Sequence, residues 1–166
     1  SLGVTTEVGS KHLMDVSRSL SDHLINWGKE ENDIGRIDSI WLSHAHVGHY
    51  DGLFQFGREV MGTSSIPCHL SKSMHEFCMS TPPLASLFDE GHLIAEVFDG
   101  DASIEISELV AISPIKVPHR DEFSDTHGFV IKGPKRRLLY LTDHDSWDET
   151  LGFHEADDIR SWLSSM

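Results

Sequence analysis

One stretch, Ser43-His44-Ala45-His46-Val47-Gly48-His49, limits what this chain can fold into more than any other. It follows Ile37 to Leu42 (IDSIWL), a short and mostly apolar run with the composition of a buried strand. In an extended segment residues i and i+2 point to the same side, so His44 and His46 can reach one metal ion from the end of that strand. His49 opens the next element, a predicted helix, and falls beside the pair at an adjacent metal position. Chance would produce this H-x-H-x-x-H spacing only about 0.06 times in a chain with 12 His among 166 residues. The fold must therefore turn from strand to helix here, with the histidines at the turn.

Two later stretches repeat the pattern of an apolar strand that ends in a polar ligand. Ile115-Lys116-Val117-Pro118 delivers His119, and Leu138-Leu139-Tyr140-Leu141-Thr142 delivers Asp143. Taken alone, His119 reads as a surface histidine and Asp143 as a turn-former. Strand ends that meet at one sheet edge make a site without adjacency in sequence, and the shared placement makes both residues candidate ligands.

The rest of the chain supplies strands around these points. Val4, Thr6 and Val8 alternate before a turn at Gly9-Ser10-Lys11 and a return through His12 to Asp15, which predicts a hairpin. A helix follows, capped by Ser17 or Ser19, carrying Leu20, Leu24 and Trp27 on one face and stopping at Gly28. Leu53, Phe56 and Val60 predict a second helix from about Tyr50 to Met61. Ile66 to Leu70 reads as a strand. Ser71 caps a helix to about Cys78, Pro82-Pro83 breaks it, and another short helix ends at Gly91. Leu93 to Phe98, Ser103 to Ile106, Leu109 to Val117, Gly128 to Ile131 and Leu138 to Leu141 have strand composition. A terminal helix runs from Glu155 to Met166, with Ile159 and Leu163 on a shared face. Strands grouped between helices predict an α+β fold of layered sheets flanked by helices rather than a doubly wound parallel sheet.

Composition excludes several functions. A formal charge of −14 repels a phosphate backbone, so no nucleic-acid partner is expected. The one dense basic run, Lys132 to Arg137, surrounds Gly133-Pro134 and reads as a solvated hairpin tip. No segment approaches the roughly 20 apolar residues that cross a bilayer. The chain is read as soluble, with no membrane partner and with the cytoplasm favoured over the periplasm. Cys68 and Cys78 lack the spacing of a redox or zinc pair and read as free thiols. No G-x-S-x-G, Walker or G-x-G-x-x-G pattern competes with the metal reading.

The motif SHAHVGHYDGL resembles the H-x-H-x-D-H signature of the metallo-β-lactamase superfamily, and VPHRDEFSDTHGF and LLYLTDHDSW resemble its later His and Asp motifs. Together with GLFQFGREVMG, they are most similar to the branch around the pyrroloquinoline quinone biosynthesis protein B. The resemblance implies a four-layer αββα sandwich of metallo-β-lactamase type over residues 1–166. It implies a first metal held by His44, His46 and His119, and a second by His49, with Asp143 bridging the two. Two departures stand out. Gly48 occupies the place of the signature Asp, and the family's last His has no match, His154 lying too close to Asp143. The domain is accordingly read as partial, incomplete at both ends, with a native continuation that supplies another strand and a metal-facing His.

Three imidazoles plus an open place suit zinc, and lower a bound water's pKa to about 7. The second position is expected to be weak or absent; iron or manganese are the other candidate metals. The leading reading is a hydrolase that directs a metal-held hydroxide at an ester, lactone, amide or phosphoester in a small-molecule substrate. The alternatives are an iron-dependent oxygenase-like protein of quinone cofactor biosynthesis and a non-catalytic metal-binding relative. With Gly48 in the motif, Asp51 or Asp143 is expected to serve as the general base. His127 and His144 read as exposed bystanders, with a supporting, proton-shuttling or replacement-ligand role as the alternative. The acidic loop Asp121, Glu122 and Asp125 either orients a ligand histidine or is solvated charge. Asp145 stabilises the turn after Asp143 or supports the site, and Tyr50 and Trp147 either wall a pocket or fill the core.

Overall fold

The computed structural model describes residues 1–31 and 36–166. Among them are nine strands and six helices in chain order: β1 (Leu2–Thr5), β2 (Lys11–Met14), α1 (Leu20–Glu31), β3 (Ser39–Trp41), α2 (Val47–Tyr50), β4 (Ile66–Ser71), α3 (Lys72–Ser80), α4 (Pro82–Asp89), β5 (Leu93–Phe98), β6 (Ile104–Glu105), β7 (Ala111–Val117), β8 (Thr126–Lys132), β9 (Arg137–Tyr140), α5 (Trp147–Phe153) and α6 (Ile159–Ser165). A 3₁₀ turn, Asp51–Phe56, continues α2. The first sheet has the order β1-β2-β3-β4-β5, antiparallel at β1–β2 and parallel from β2 onward. The second, β6-β7-β8-β9, is antiparallel throughout.

Side-chain alternation along the strands divides the apolar residues into three seams. Leu13 and Ile40 face α1, α3 and α4, packing with Leu20, Leu24, Met74, Cys78 and Leu84. Their neighbours Met14 and Trp41 point the other way and meet Phe98, Ile112, Phe129 and Ile131 between the two sheets. On the outer face of the second sheet, Ile115, Val117 and Val130 pack on Trp162 of α6 and Leu151 of α5. Helices, sheet, sheet and helices therefore stack in the αββα order. Parallel strands need crossovers, and α1, the α2 segment and the α3–α4 pair supply them.

Several local features differ from the sequence reading. The helix α1 passes Gly28 and reaches Glu31. The helix expected from Tyr50 to Met61 is instead α2 plus the 3₁₀ turn, whose three-residue repeat stacks Leu53 on Phe56 and leaves Val60 exposed. Pro82 and Pro83 occupy the first turn of α4, so they start that helix as well as ending the previous one. The terminal helix expected from Glu155 to Met166 starts only at Ile159, after the Asp158 cap and with Glu155 at φ 51, and a separate helix that was not expected, α5, capped by Ser146, precedes it. In α6 Trp162 is the buried residue, while Ile159 and Leu163 are exposed. The basic run forms the β8–β9 hairpin tip, with Lys132 opposite Arg137.

Candidate metal centre

Strand direction brings the site together. The strands β2 and β3 are parallel, so Asp15 and the His44 segment leave the first sheet at the same edge. Antiparallel pairing on both sides of β8 makes β7 and β9 run together, so His119 and Asp143 leave the second sheet at a common edge as well. The two edges are joined where the His127 amide donates to the Ser43 carbonyl at 3.0 Å. The loops after β7 and β9 are tied by the Asp145 amide, which donates to the Pro118 carbonyl at 2.9 Å.

At this edge His44, His46 and His119 each place one ligand atom within 4.8 Å of the others, and so do His44, His49 and Asp143. His44 is shared by both groups and is 1% exposed. Its Nε2 lies 2.9 Å from His46 Nδ1 and 3.5 Å from Asp143 Oδ2. His49 Nε2 is 2.8 Å from the same Asp143 oxygen.

Each histidine has its other ring nitrogen engaged behind it. His44 Nδ1 lies 2.9 Å from Ser43 Oγ, and His46 Nε2 lies 3.0 Å from Glu122 Oε2. His49 Nδ1 is 2.8 Å from Asp15 Oδ2, and His119 Nδ1 is 3.0 Å from Asp145 Oδ1. Imidazoles backed in this way, with their free nitrogens converging, are the arrangement metal-ligating histidines take. The donor set fits a cation of the zinc or iron type.

The buried hub of this arrangement, Asp15, was not singled out by sequence. Its carboxylate accepts from the Ser43 amide (2.8 Å), Ser43 Oγ (2.9 Å) and Tyr140 Oη (3.1 Å) besides facing His49. It is 2% exposed and sits at φ 54, a left-handed conformation that Asp tolerates better than most residues. The available signal was the strand Lys11-His12-Leu13-Met14 ending in Asp15, the same pattern that marked His119 and Asp143.

Burial, with His49 adding to it, pushes His44 down from 6.5 to about 4, so its imidazole is neutral and able to donate a lone pair near pH 7. For His49, burial acts downward, but the hydrogen bond to Asp15 and the charges of Asp15 and Asp143 outweigh it and leave the group raised. Burial and the neighbouring Asp15 both push the Tyr140 phenol up, so it stays protonated and donates to that carboxylate.

Other candidates fall elsewhere. Asp51 pairs with Arg18 Nε at 2.9 Å and belongs to neither of the two groups of candidate ligands. His127 is buried between the sheets, its ring against Phe98, rather than exposed as the sequence suggested. His144 is half-buried with Nδ1 2.9 Å from Thr150 Oγ1, so it is no exposed bystander either. Trp147 packs on His144, and Tyr50 on Phe77. His154 Nε2 donates to the Lys116 carbonyl beside Trp162, on the outer face of the second sheet. Asp125 accepts from Ser71 Oγ and Ser73 Oγ, which ties the loop after β7 to the start of α3.

The profile of the beta-lactamase superfamily domain matches residues 14–161. The chain belongs to the metallo-β-lactamase superfamily. Solved structures share this superfamily's fold with it. Zinc-bound PqqB from Methylobacterium extorquens superposes with a TM-score of 0.71 at 12% identity, covering 88% of this chain and 54% of that one. A diphosphatase from the PhnP family gives 0.58 at 16% identity, covering 78% and 46%. A B3 metallo-β-lactamase with an active-site glutamic acid gives 0.53 at 17% identity, covering 78% and 50%. The chain thus spans about half the length of these superfamily structures. No curated protein matches the sequence.

Proposed function

We propose that this chain carries the metal centre of a metal-dependent hydrolase, with His44, His46 and His119 as ligands of a first ion. His49 and Asp143, together with His44, form a weaker second position, because Gly48 offers no carboxylate there. The observation that carries the reading is the backing of all four histidines by Ser43, Glu122, Asp15 and Asp145, with their free nitrogens turned to one place. A zinc-type ion held by these residues would supply an activated water with a pKa of about 7 and a Lewis acid for the substrate.

The chain's own residues hold and orient. Asp15 fixes the His49 ring through Nδ1 and is itself held by Ser43 and Tyr140. Asp143 Oδ2 lies at the cluster, 2.8 Å from His49 Nε2, and with Asp51 engaged by Arg18 we assign Asp143 the general-base role. The class of substrate is an ester, lactone, amide or phosphoester of a small molecule. The test is a panel of chromogenic esters, lactones and phosphodiesters. We expect turnover of one class that chelator abolishes, zinc restores and His44→Ala removes. No turnover of any class by zinc-loaded protein contradicts the hydrolase reading.

A second reading has its own observation. The group His44, His49 and Asp143 is a two-histidine, one-carboxylate face of the kind that holds iron in oxygenases. Iron in the purified protein, with turnover that stops when oxygen is removed, would favour this reading over hydrolysis.

A further inference from the structure

We infer that Glu122 is a positioning residue for the metal centre, fixing the His46 ring so that Nδ1 is the nitrogen presented to the ion. The inference rests on the metal centre proposed above. His46 differs from the other histidines in the nitrogen it turns inward: its Nδ1 lies 2.9 Å from His44 Nε2, and its Nε2 points outward to Glu122 Oε2 at 3.0 Å. A neutral imidazole has one N–H. With a carboxylate accepting at Nε2, the proton sits there and the Nδ1 lone pair is left for the metal. Without that acceptor the ring, about one-fifth exposed, is free to exchange tautomers or turn over.

The loop that carries Glu122 is anchored on both sides of it. Arg120 Nη1 lies 3.8 Å from Glu122 Oε1, which leaves Oε2 for His46. The Phe123 ring rests on Phe77. Ser124 Oγ accepts the Ala45 amide at 2.8 Å, between the two motif histidines, and Asp125 is pinned to Ser71 and Ser73. One loop therefore delivers His119, holds the backbone of the His44–His46 segment and sets the tautomer of His46. An exposed ion pair without such a geometry contributes little, and that is the competing account.

The experiment is a zinc titration against a chromophoric chelator for the parent, Glu122→Ala, Glu122→Gln and Glu59→Ala, with ¹⁵N spectra of His46 in the metal-free proteins. Glu59→Ala is the control for loss of one exposed carboxylate away from the site. Glu122→Ala should weaken the tightest zinc equivalent by roughly 10- to 100-fold, as loss of a group behind a ligand histidine does. Glu122→Gln should recover most of the affinity, because its amide oxygen still accepts from Nε2. His46 should be the Nε2–H tautomer in the parent and a mixture in Glu122→Ala. Zinc binding by Glu122→Ala that equals the parent, or a loss no greater than that of Glu59→Ala, would overturn the assignment while leaving the centre intact. Zinc binding absent from the parent as well would overturn the centre and this role with it.

Discussion

His69 lies face to face on Trp41 between the sheets, ring centroids 3.9 Å apart and planes within 14°. Burial, with His12 pushing the same way, takes its imidazole from 6.5 down to about 4. In that interval the unfolded chain holds a proton on this residue and the folded chain does not. The stability contributed is therefore complete above about 6.5 and is lost as pH falls towards 4. His12, His44 and His127 are depressed in the same direction, whereas His49 is raised and acts oppositely. The melting temperature of the metal-free protein should fall on acidification through this range. His69→Phe, which keeps the stacked ring, should make the fall shallower; a fall identical to the parent's would exclude the contribution of His69. Residues of this kind show what sequence leaves hidden. Three histidines at two- and three-residue spacing declare themselves, but Asp15 acts through partners 28, 34 and 125 positions away, and only the fold brings those to it.

At the scale of elements, α2 and the 3₁₀ turn are pressed against the loop between β2 and α1. The Val16 amide donates to the His49 carbonyl at 2.7 Å, and the Gly52 amide to the Val16 carbonyl at 2.9 Å. A Cβ on Gly52 would stand 2.2 Å from the Ser17 carbonyl oxygen, so Gly52→Ala must push the two segments apart. Overpacking of this sort costs about 1–3 kcal/mol, and a lower melting temperature should register it. Gly48 is the opposite case. A Cβ there meets nothing within 4 Å, and the position lies in the first turn of α2, where a carboxylate is favoured. Gly48→Asp should therefore fold normally and raise metal stoichiometry, measured by elemental analysis; no additional ion would show that another missing ligand limits the second position. The strands were legible because β-branched and aromatic runs end at Gly, Asp and Pro. The 3₁₀ turn was not, because Leu53 and Phe56 satisfy a three-residue and a 3.6-residue repeat equally over so short a span. In α6, Ile159 and Leu163 share a face, but the second sheet meets the helix through Trp162 instead.

For the whole molecule, the four-layer order follows from alternation along the strands; the sequence favoured layered sheets only through its grouping of strands between helices, and the αββα order itself was implied by the family resemblance. The sequence did not carry the pairing that sends β2, β3, β7 and β9 towards one edge, since strand order depends on contacts between distant segments. That convergence is what makes a site of residues spread from Asp15 to Asp145. His44 belongs to both candidate groups at this edge, so metal binding there depends on it first. The most direct test is elemental analysis of the purified chain after incubation with zinc and removal of excess, beside His44→Ala prepared identically. The parent should retain at least one firmly held ion per protomer, and His44→Ala should lose most of it. A parent that retains no metal, or a variant that retains as much as the parent, would contradict metal binding through His44.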